Sequence, residues 1–502
     1  MPCGESKSCR IFGTSMQSTL PTKPSHDLDA CFERTCRDRR SLVAVRNLAT
    51  GQSLTFADLH EQYDAILRAL GQLRIGPGAP VVTRVGNHPA FFSLLAACMS
   101  AGTALVALGE ATDQEAAAVA DGCQAAAIVT DRPLPIAALD RMTIGDIQIA
   151  TLRPARRLEV YGESAVLKLT SGSTDLPKAA LASVHHLVND GRHVIQAMDI
   201  REHDINFACI PLSHSYALGN IVMPLLLQGT AVALRQSFNP LQFTDDLRSS
   251  GATVFPGVPF MFHRFRALEL DVLPAGLRLL ITAGARIDAA TVRWVHERLG
   301  RKLHSFYGSS ETGGISYDDS EQIDEPLDVG RPMPEVTIEI RGSDAAGAGR
   351  IYVAGTAVAP AYAGATPVDV DTGFIDGGFV TSDIGYIDSR GRLVLTGRVS
   401  PLVNVAGRKV DPAEVERILA DLPGVVDARV IGTACDRRGQ QLVAFVVSDA
   451  GLTSVAVRRQ CAKLLSPHKI PRRFIFLDQL PTDARGKMDR RVLEALAAED
   501  AH

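Results

Sequence analysis

A chain of 502 residues is longer than one hydrophobic core normally supports, so two or more domains are expected. Apolar residues make up 46% and charged residues 22%, with a formal net charge of -4: a globular composition with no basic excess to hold a phosphate backbone or an anionic lipid surface. Nucleic acid and membrane surfaces are excluded as partners on that ground, and nine cysteines without a CxxC pair indicate a reducing, cytoplasmic setting rather than a disulfide framework.

Residues 1–25 mix Ser, Thr, Pro and charges and read as a loose tail, with neither an apolar signal region nor an arginine-rich face. A helical pattern follows over Phe56 to Leu73, then the β-branched runs Ala79 to Thr83 and Ala126 to Thr130. Between those runs, Pro89 to Gly109 carries no charge and has the length of a membrane span. Its Ala96, Ala97, Ser100, Ala101 and Gly102 instead suit a helix packed closely on a sheet, with the strand Ala104 to Leu108 after it, so no membrane span is expected. Further short strands, Thr253 to Pro256 and Leu277 to Thr282, continue the alternation of strand and helix that marks an α/β body with parallel sheets. After about residue 330, Thr337 to Arg341 and Gly349 to Val353 read as antiparallel strands of a small β-rich subdomain. Beyond Gly397 and Arg398, a helix over Pro412 to Leu422 and strands Ala428 to Gly432 and Gln441 to Val447 indicate a small α+β C-terminal lid.

One segment carries chemistry on its face. In Leu169-Thr170-Ser171-Gly172-Ser173-Thr174-Asp175-Leu176-Pro177-Lys178, hydroxyls, a glycine and one lysine follow a strand. Hydroxyls and exposed backbone N–H groups donate to phosphate oxygens and lysine adds a compact cation, which suits a polyphosphate. The order is not Gly-Lys-Ser/Thr opening a helix. Taken alone, the segment reads equally well as a surface turn.

Together with Ser305-Phe306-Tyr307-Gly308-Ser309-Ser310-Glu311-Thr312-Gly313, Thr381-Ser382-Asp383, Leu395-Thr396-Gly397-Arg398 and Pro481-Thr482-Asp483-Ala484-Arg485-Gly486-Lys487, the chain resembles the adenylate-forming superfamily. That family includes acyl- and aryl-CoA ligases, firefly luciferases and the adenylation domains of peptide synthetases, and the resemblance runs from about Leu54 to Leu493. It implies an AMP-binding N-terminal domain over 26–398 and a mobile lid over 401–502 that carries a catalytic lysine. It further implies that Thr170, Ser171, Gly172, Ser173, Thr174 and Lys178 close over the β- and γ-phosphates of ATP. Tyr307 would stack on adenine beside the backbone of Gly284 and Ala285, Ser310 would contact the α-phosphate, and Glu311 would bind Mg2+, for which a hard carboxylate oxygen is suited. Asp383 would accept from the ribose hydroxyls, Arg398 would add donors at the domain junction, and Lys487 would bridge the carboxylate and the α-phosphate.

The substrate implied is a small-molecule carboxylic acid. Pro211-Leu212-Ser213-His214-Ser215-Tyr216 resembles the stretch where acyl- and aryl-CoA ligases place a histidine beside the carboxylate, so His214 and Tyr216, with Gly308, Ser309 and Gly313, are the expected acid pocket. The Phe-Asp-x-Ser pattern of α-amino-acid-activating domains is absent, which disfavours an α-amino acid. His214 taken alone also reads as an ordinary core histidine.

Some positions depart from the family. Asp175 and Ala179 stand where the phosphate loop has glycine, Ser400 and Pro401 occupy the hinge, and Asn404 stands where relatives with a coenzyme A step often have lysine. Gly407, Val410, Pro412, Glu414 and Glu416 match. The expected acceptor is coenzyme A, with the phosphopantetheine of an acyl carrier protein as the alternative. A degenerate nucleotide binder and a luciferase-like oxygenation are the readings of other classes; intact Glu311, Asp383, Arg398 and Lys487 oppose the first, and no residue speaks for the second.

Overall fold

Strands that are apolar along their whole length have no wet face to offer, and two groups of them form the centres of two sheets. The computed structural model describes residues 25–133, 135–170, 178–270, 272–323, 327–344, 347–363, 373–398, 402–435, 439–448, 452–481 and 490–499. In the first sheet Pro80–Arg84, buried at every position, pairs in parallel with Ala104–Ala107 and Ala127–Thr130, and Ala104–Ala107 pairs in parallel with Val166–Thr170. Antiparallel Lys178–Ala182 closes one edge and Ile147–Thr151 with Asp140–Ile144 the other, seven strands among the described residues.

The second sheet has nine described strands, with Val43–Asn47, Ala231–Leu234, Ile205–Ala208, Val254–Gly257, Leu279–Thr282 and Leu303–Ser309 running parallel. The uncharged stretch resolves as expected into the helix Ala90–Ser100 and the strand Ala104–Ala107. Gly102 makes the stop at φ +69, a conformation glycine adopts without a side-chain clash. No described helix is long and apolar enough to cross a membrane.

After residue 330 an antiparallel sheet forms from Val336–Arg341, Gly349–Gly355, Gly373–Ile375, Gly378–Ile387 and Leu393–Arg398. A separate hydrophobic core then begins at Val403, joining Val405, Val410, Val415, Leu419, Leu442 and Val457. The helix there is Pro412–Ala420, two residues shorter than the sequence pattern suggests, because Pro423 disfavours helical backbone at Leu422. The strand after it is longer, Val425–Cys435, since it pairs along almost its whole length with Gly439–Ser448 and so draws in polar Asp427 and Thr433.

Two patches join this smaller core to the large body. At the first, Asn404 Nδ2 donates to the Gly284 carbonyl and Arg408 pairs with Glu110 at 3.2 Å. At the second, Glu115 on the helix Asp113–Gly122 accepts from the Ser466 backbone N–H at 3.1 Å and from its hydroxyl, with the Lys469 ammonium at 3.5 Å. Lys469 also holds Glu414 at 2.7 Å, which completes the cluster.

Candidate active site

The parallel strands of the second sheet end on one side in Val254–Gly257, Leu279–Thr282 and Leu303–Ser309, and a cavity of about 1050 Å³ opens there. Crevices beyond the carboxyl ends of parallel strands are where such sheets bind ligands. Here the antiparallel subdomain supplies a second wall through Thr381 and Asp383, and residues Leu402 to Asp411 of the small domain lie across the mouth.

Tyr307, on the strand Leu303–Ser309, donates its hydroxyl to Asp383 Oδ2 at 2.7 Å, joining the two walls. Beyond it the chain turns tightly. The Ser309 hydroxyl accepts the backbone N–H groups of Glu311 and Thr312 at 3.2 and 3.3 Å, which fixes the turn that presents Ser310 and Glu311. Ser215 Oγ donates to Ser310 Oγ at 3.0 Å, and Tyr362 Oη donates to Glu311 Oε1 at 2.7 Å. Burial foremost, and then the neighbouring Glu311 carboxylate, push the Tyr362 phenol above its usual range, so it stays protonated and remains a donor.

Gly284 lines the same cavity at φ +83. Its carbonyl takes the Asn404 amide, while Asn404 Oδ1 accepts the Gly407 N–H at 2.8 Å. Gly407 itself, at φ +87, leaves no room for a side chain: a Cβ there would stand 2.8 Å from Val258 Cγ1. The loop thus inserts its backbone into the cavity mouth.

On the acid side, His214 opens onto the cavity yet sits deep among protein atoms, and that burial, with Arg408 nearby, holds its imidazole down to about 4. His468 of the small domain is held well below the usual histidine value by burial and by Arg408, Lys469 and His214. Both rings are neutral at neutral pH. His214 precedes a helical turn, Ser215–Ala217, that passes into a π-turn, Leu218–Val222, an irregularity common at functional sites. Tyr216 stacks on Phe306 with ring centroids 5.7 Å apart.

The cavity therefore brings together Asp383, Gly284, Ser310, Glu311, His214 and Tyr216, with Gly308, Ser309 and Gly313 on its floor, while Tyr307 does not line it and is tied to it through its bond to Asp383. Ala285 follows Gly284 in the chain but does not line the cavity. Thr170 and Lys178 pair as the ends of an antiparallel hairpin, and Arg398 pairs with Asp383 across strands; of Thr170, Lys178 and Arg398 the backbones alone are described. Ser171, Gly172, Ser173, Thr174, Asp175, Ser400, Pro401 and Lys487 lie outside the described residues.

Several site residues carry no local motif: Tyr362, Asp190 and Arg408 reach the cavity from strands, helices and loops far along the chain. Lys168 had a signal, a lone charge within the strand Val166–Thr170. The described residues hold no group of three or more His, Cys, Asp or Glu side chains able to bind a metal by themselves. A single carboxylate such as Glu311 fits Mg2+, which takes one or two carboxylates together with substrate phosphates.

The model of the AMP-binding enzyme family matches residues 32–363, and that of the AMP-binding enzyme C-terminal domain matches 414–487. A 2-succinylbenzoate–CoA ligase of Bacillus cereus is 25% identical over 470 residues, covering 89% of this chain and 94% of that protein. Triostin synthetase I of Streptomyces triostinicus is 29% identical over 510 residues, covering 93% of each. Among solved structures, o-succinylbenzoate CoA synthetase of Bacillus subtilis, a double mutant bound with its product analogue OSB-NCoA, superposes with a TM-score of 0.80 at 22% identity, over 92% of this chain and 98% of that one. The same enzyme in complex with its acyl-adenylate intermediate, 21% identical over 92% and 97%, gives 0.64.

Proposed function

We propose a function from one premise: the chain belongs to the family of AMP-binding enzymes. It is an AMP-forming acid-thiol ligase, which activates a carboxylic acid as its acyl-adenylate with release of pyrophosphate and then forms the thioester with coenzyme A. The observation that best supports this is the convergence of Asp383, Ser310 and Glu311 on one cavity, with Tyr307 bonded to Asp383 and the backbone of Gly407 across the mouth. CoA ligases among the relatives support the same reading.

In the first half-reaction an oxygen of the acid attacks the α-phosphorus of ATP, a C–O–P linkage forms, and the bond to pyrophosphate breaks. Most of the catalysis is positioning and charge stabilisation. Residues 170–178 hold the β- and γ-phosphates, Ser310 donates to an α-phosphate oxygen, and Lys487 offsets the charge that builds between carboxylate and phosphorus. Glu311 would hold Mg2+, which would neutralise phosphate charge. Tyr307 offers its ring to adenine while its hydroxyl fixes Asp383, whose carboxylate accepts from the ribose hydroxyls. Arg398 adds donors at the junction, and backbone at Gly284 borders the base.

In the second half-reaction a thiol sulfur attacks the acyl carbonyl, the C–S bond forms, AMP departs with the mixed-anhydride oxygen, and the thiol proton passes to solvent. Arg408, Lys409 and Arg472 at the cavity rim supply cations for the phosphates of the acceptor. Neutral His214 and His468 add no charge where the thioester forms.

The test is pyrophosphate release with ATP, Mg2+ and a panel of aryl and alkyl acids, with and without coenzyme A. Acid-dependent release that drops at least about 100-fold in Lys487→Ala, and thioester formation with coenzyme A, is the expected result. Release without any response to coenzyme A would transfer the second step to a carrier-protein thiol. Release with no acid in the panel would sink the ligase reading.

A further inference from the structure

Behind the glycine floor of the cavity lies a set of polar groups that adenylation does not use. Asp190, 3% exposed on the helix Val184–Ala197, lines the cavity and accepts the Gly314 N–H at 2.8 Å through Oδ1. Its carboxylate fills space that glycines leave: a Cβ on Gly313 would stand 2.5 Å from Oδ1, and one on Gly219 2.9 Å from Oδ2. Lys168, 5% exposed, sits within the field of Asp190 and Glu311; burial pulls its ammonium below the usual lysine range while the two carboxylates pull it back. Asn220, 1% exposed, lines the same cavity, as does Tyr216. Asn220 donates through Nδ2 to the Tyr216 carbonyl at 3.2 Å, but its Oδ1 has no hydrogen-bond partner among the described residues, and neither has the Tyr216 hydroxyl.

A buried acceptor left without a donor costs about 1–3 kcal/mol, and one on a residue that lines a cavity can be satisfied by a ligand bound there. Resting on the ligase reading, we propose that this end of the pocket selects an aryl carboxylic acid carrying a hydroxyl group on the side away from its carboxylate, with Asn220 Oδ1 accepting that hydroxyl and Tyr216 beside it. Charge decides against an ammonium. Asp190 already faces Lys168, so a further cation would enter a buried set whose negative charge is spoken for. The aromatic part follows from the walls, since Tyr216 and Phe306 stack and Met261 and Phe260 line the same cavity. Depth agrees: Asn220 lies six residues beyond His214, roughly 9 Å along a helical path at about 1.5 Å per residue, room for one ring between the two polar ends.

The experiment compares kcat/KM for pyrophosphate release on matched pairs of aryl acids that differ only in one ring hydroxyl, in the wild-type chain and in Asn220→Leu. The wild type is expected to prefer the hydroxylated member by at least about 100-fold, because sites built to bond a hydroxyl reject the analogue lacking it. Asn220→Leu should compress that ratio at least about 10-fold while leaving release with the unhydroxylated acid within a few-fold. Asn220→Ala, which removes the same acceptor with a smaller side chain, serves as the second variant if Asn220→Leu does not fold, and it should also lower the ratio. Equal rates on both members of every pair, or a ratio unmoved in the folded variants, overturns the proposal and leaves the ligase reading intact. Release with neither member, nor with any alkyl acid, overturns both.

Discussion

The carboxylate of Glu311 is held by a phenol that no short motif announces. Tyr362 is 51 positions further along the chain, and a one-residue bridge to Ala180 on the strand Lys178–Ala182 sets its backbone. Partners that orient a ligating carboxylate matter nearly as much as the carboxylate, with typical losses of 10–100-fold. Tyr362→Phe is therefore expected to lower adenylation about 10-fold and to raise the Mg2+ concentration at half-maximal rate, as a metal titration of pyrophosphate release would read; an unchanged titration would assign the phenol a packing role. Ser310, Glu311, Tyr307 and Asp383 were legible because each lies in a short run whose neighbours are themselves diagnostic. Tyr362 and Asp190 were not, since the contacts that give them meaning join separate sheets and a helix, and no local pattern encodes a partner 51 or 124 positions away.

Elements were read most reliably where their periodicity serves their own burial. The helix Ala90–Ser100 and the strand Ala104–Ala107 emerged from composition alone, because every position of that stretch answers to the same sheet. Loops follow another logic. The segment between the strands Val403–Val405 and Arg408–Val410 turns through Ala406 at φ +52 and Gly407 at φ +87, and its shape is set by Val258 and Gly284 of the other domain. A Cβ on Gly407 would meet Val258 and also require a backbone conformation that costs about 1–3 kcal/mol outside glycine. Gly407→Ala is thus expected to slow thioester formation about 5- to 100-fold and to leave adenylation within a few-fold, measured by running pyrophosphate release and thioester appearance on one sample. Equal slowing of both would show that the substitution harms the body of the enzyme instead.

Between the two domains, charge ties docking to pH. His468 is neutral in the docked arrangement, since burial and then Arg408, Lys469 and His214 hold it well below the ordinary value of 6.5. A group whose value is depressed by docking binds its proton more readily when released. Docking is accordingly at full strength above about pH 6.5 and weakens as the pH falls below it. Thioester formation should decline between about pH 7 and 5.5 more steeply than adenylation, and His468→Gln, which cannot titrate, should flatten that difference; parallel profiles in both proteins would remove His468 from the linkage. Which face of the small domain meets the large one was not legible in the sequence, because the residues involved, Glu115, Arg408, Ser466 and Lys469, are surface types that would look the same on any solvated helix or loop.

The cluster around Glu115 sets a limit on how this protein can be improved. Burial works against the ionised carboxylate, but Lys469 and the Ser466 donors outweigh it and hold the group below its usual range, so the clasp engages as an ion. For the mobile lid that the family resemblance implies, a clasp that never opens would hold back one of the two steps. Substitutions that tighten the cluster would raise the melting temperature and lower turnover together, and the fastest variant would be one that grips only as long as the thiol needs to react.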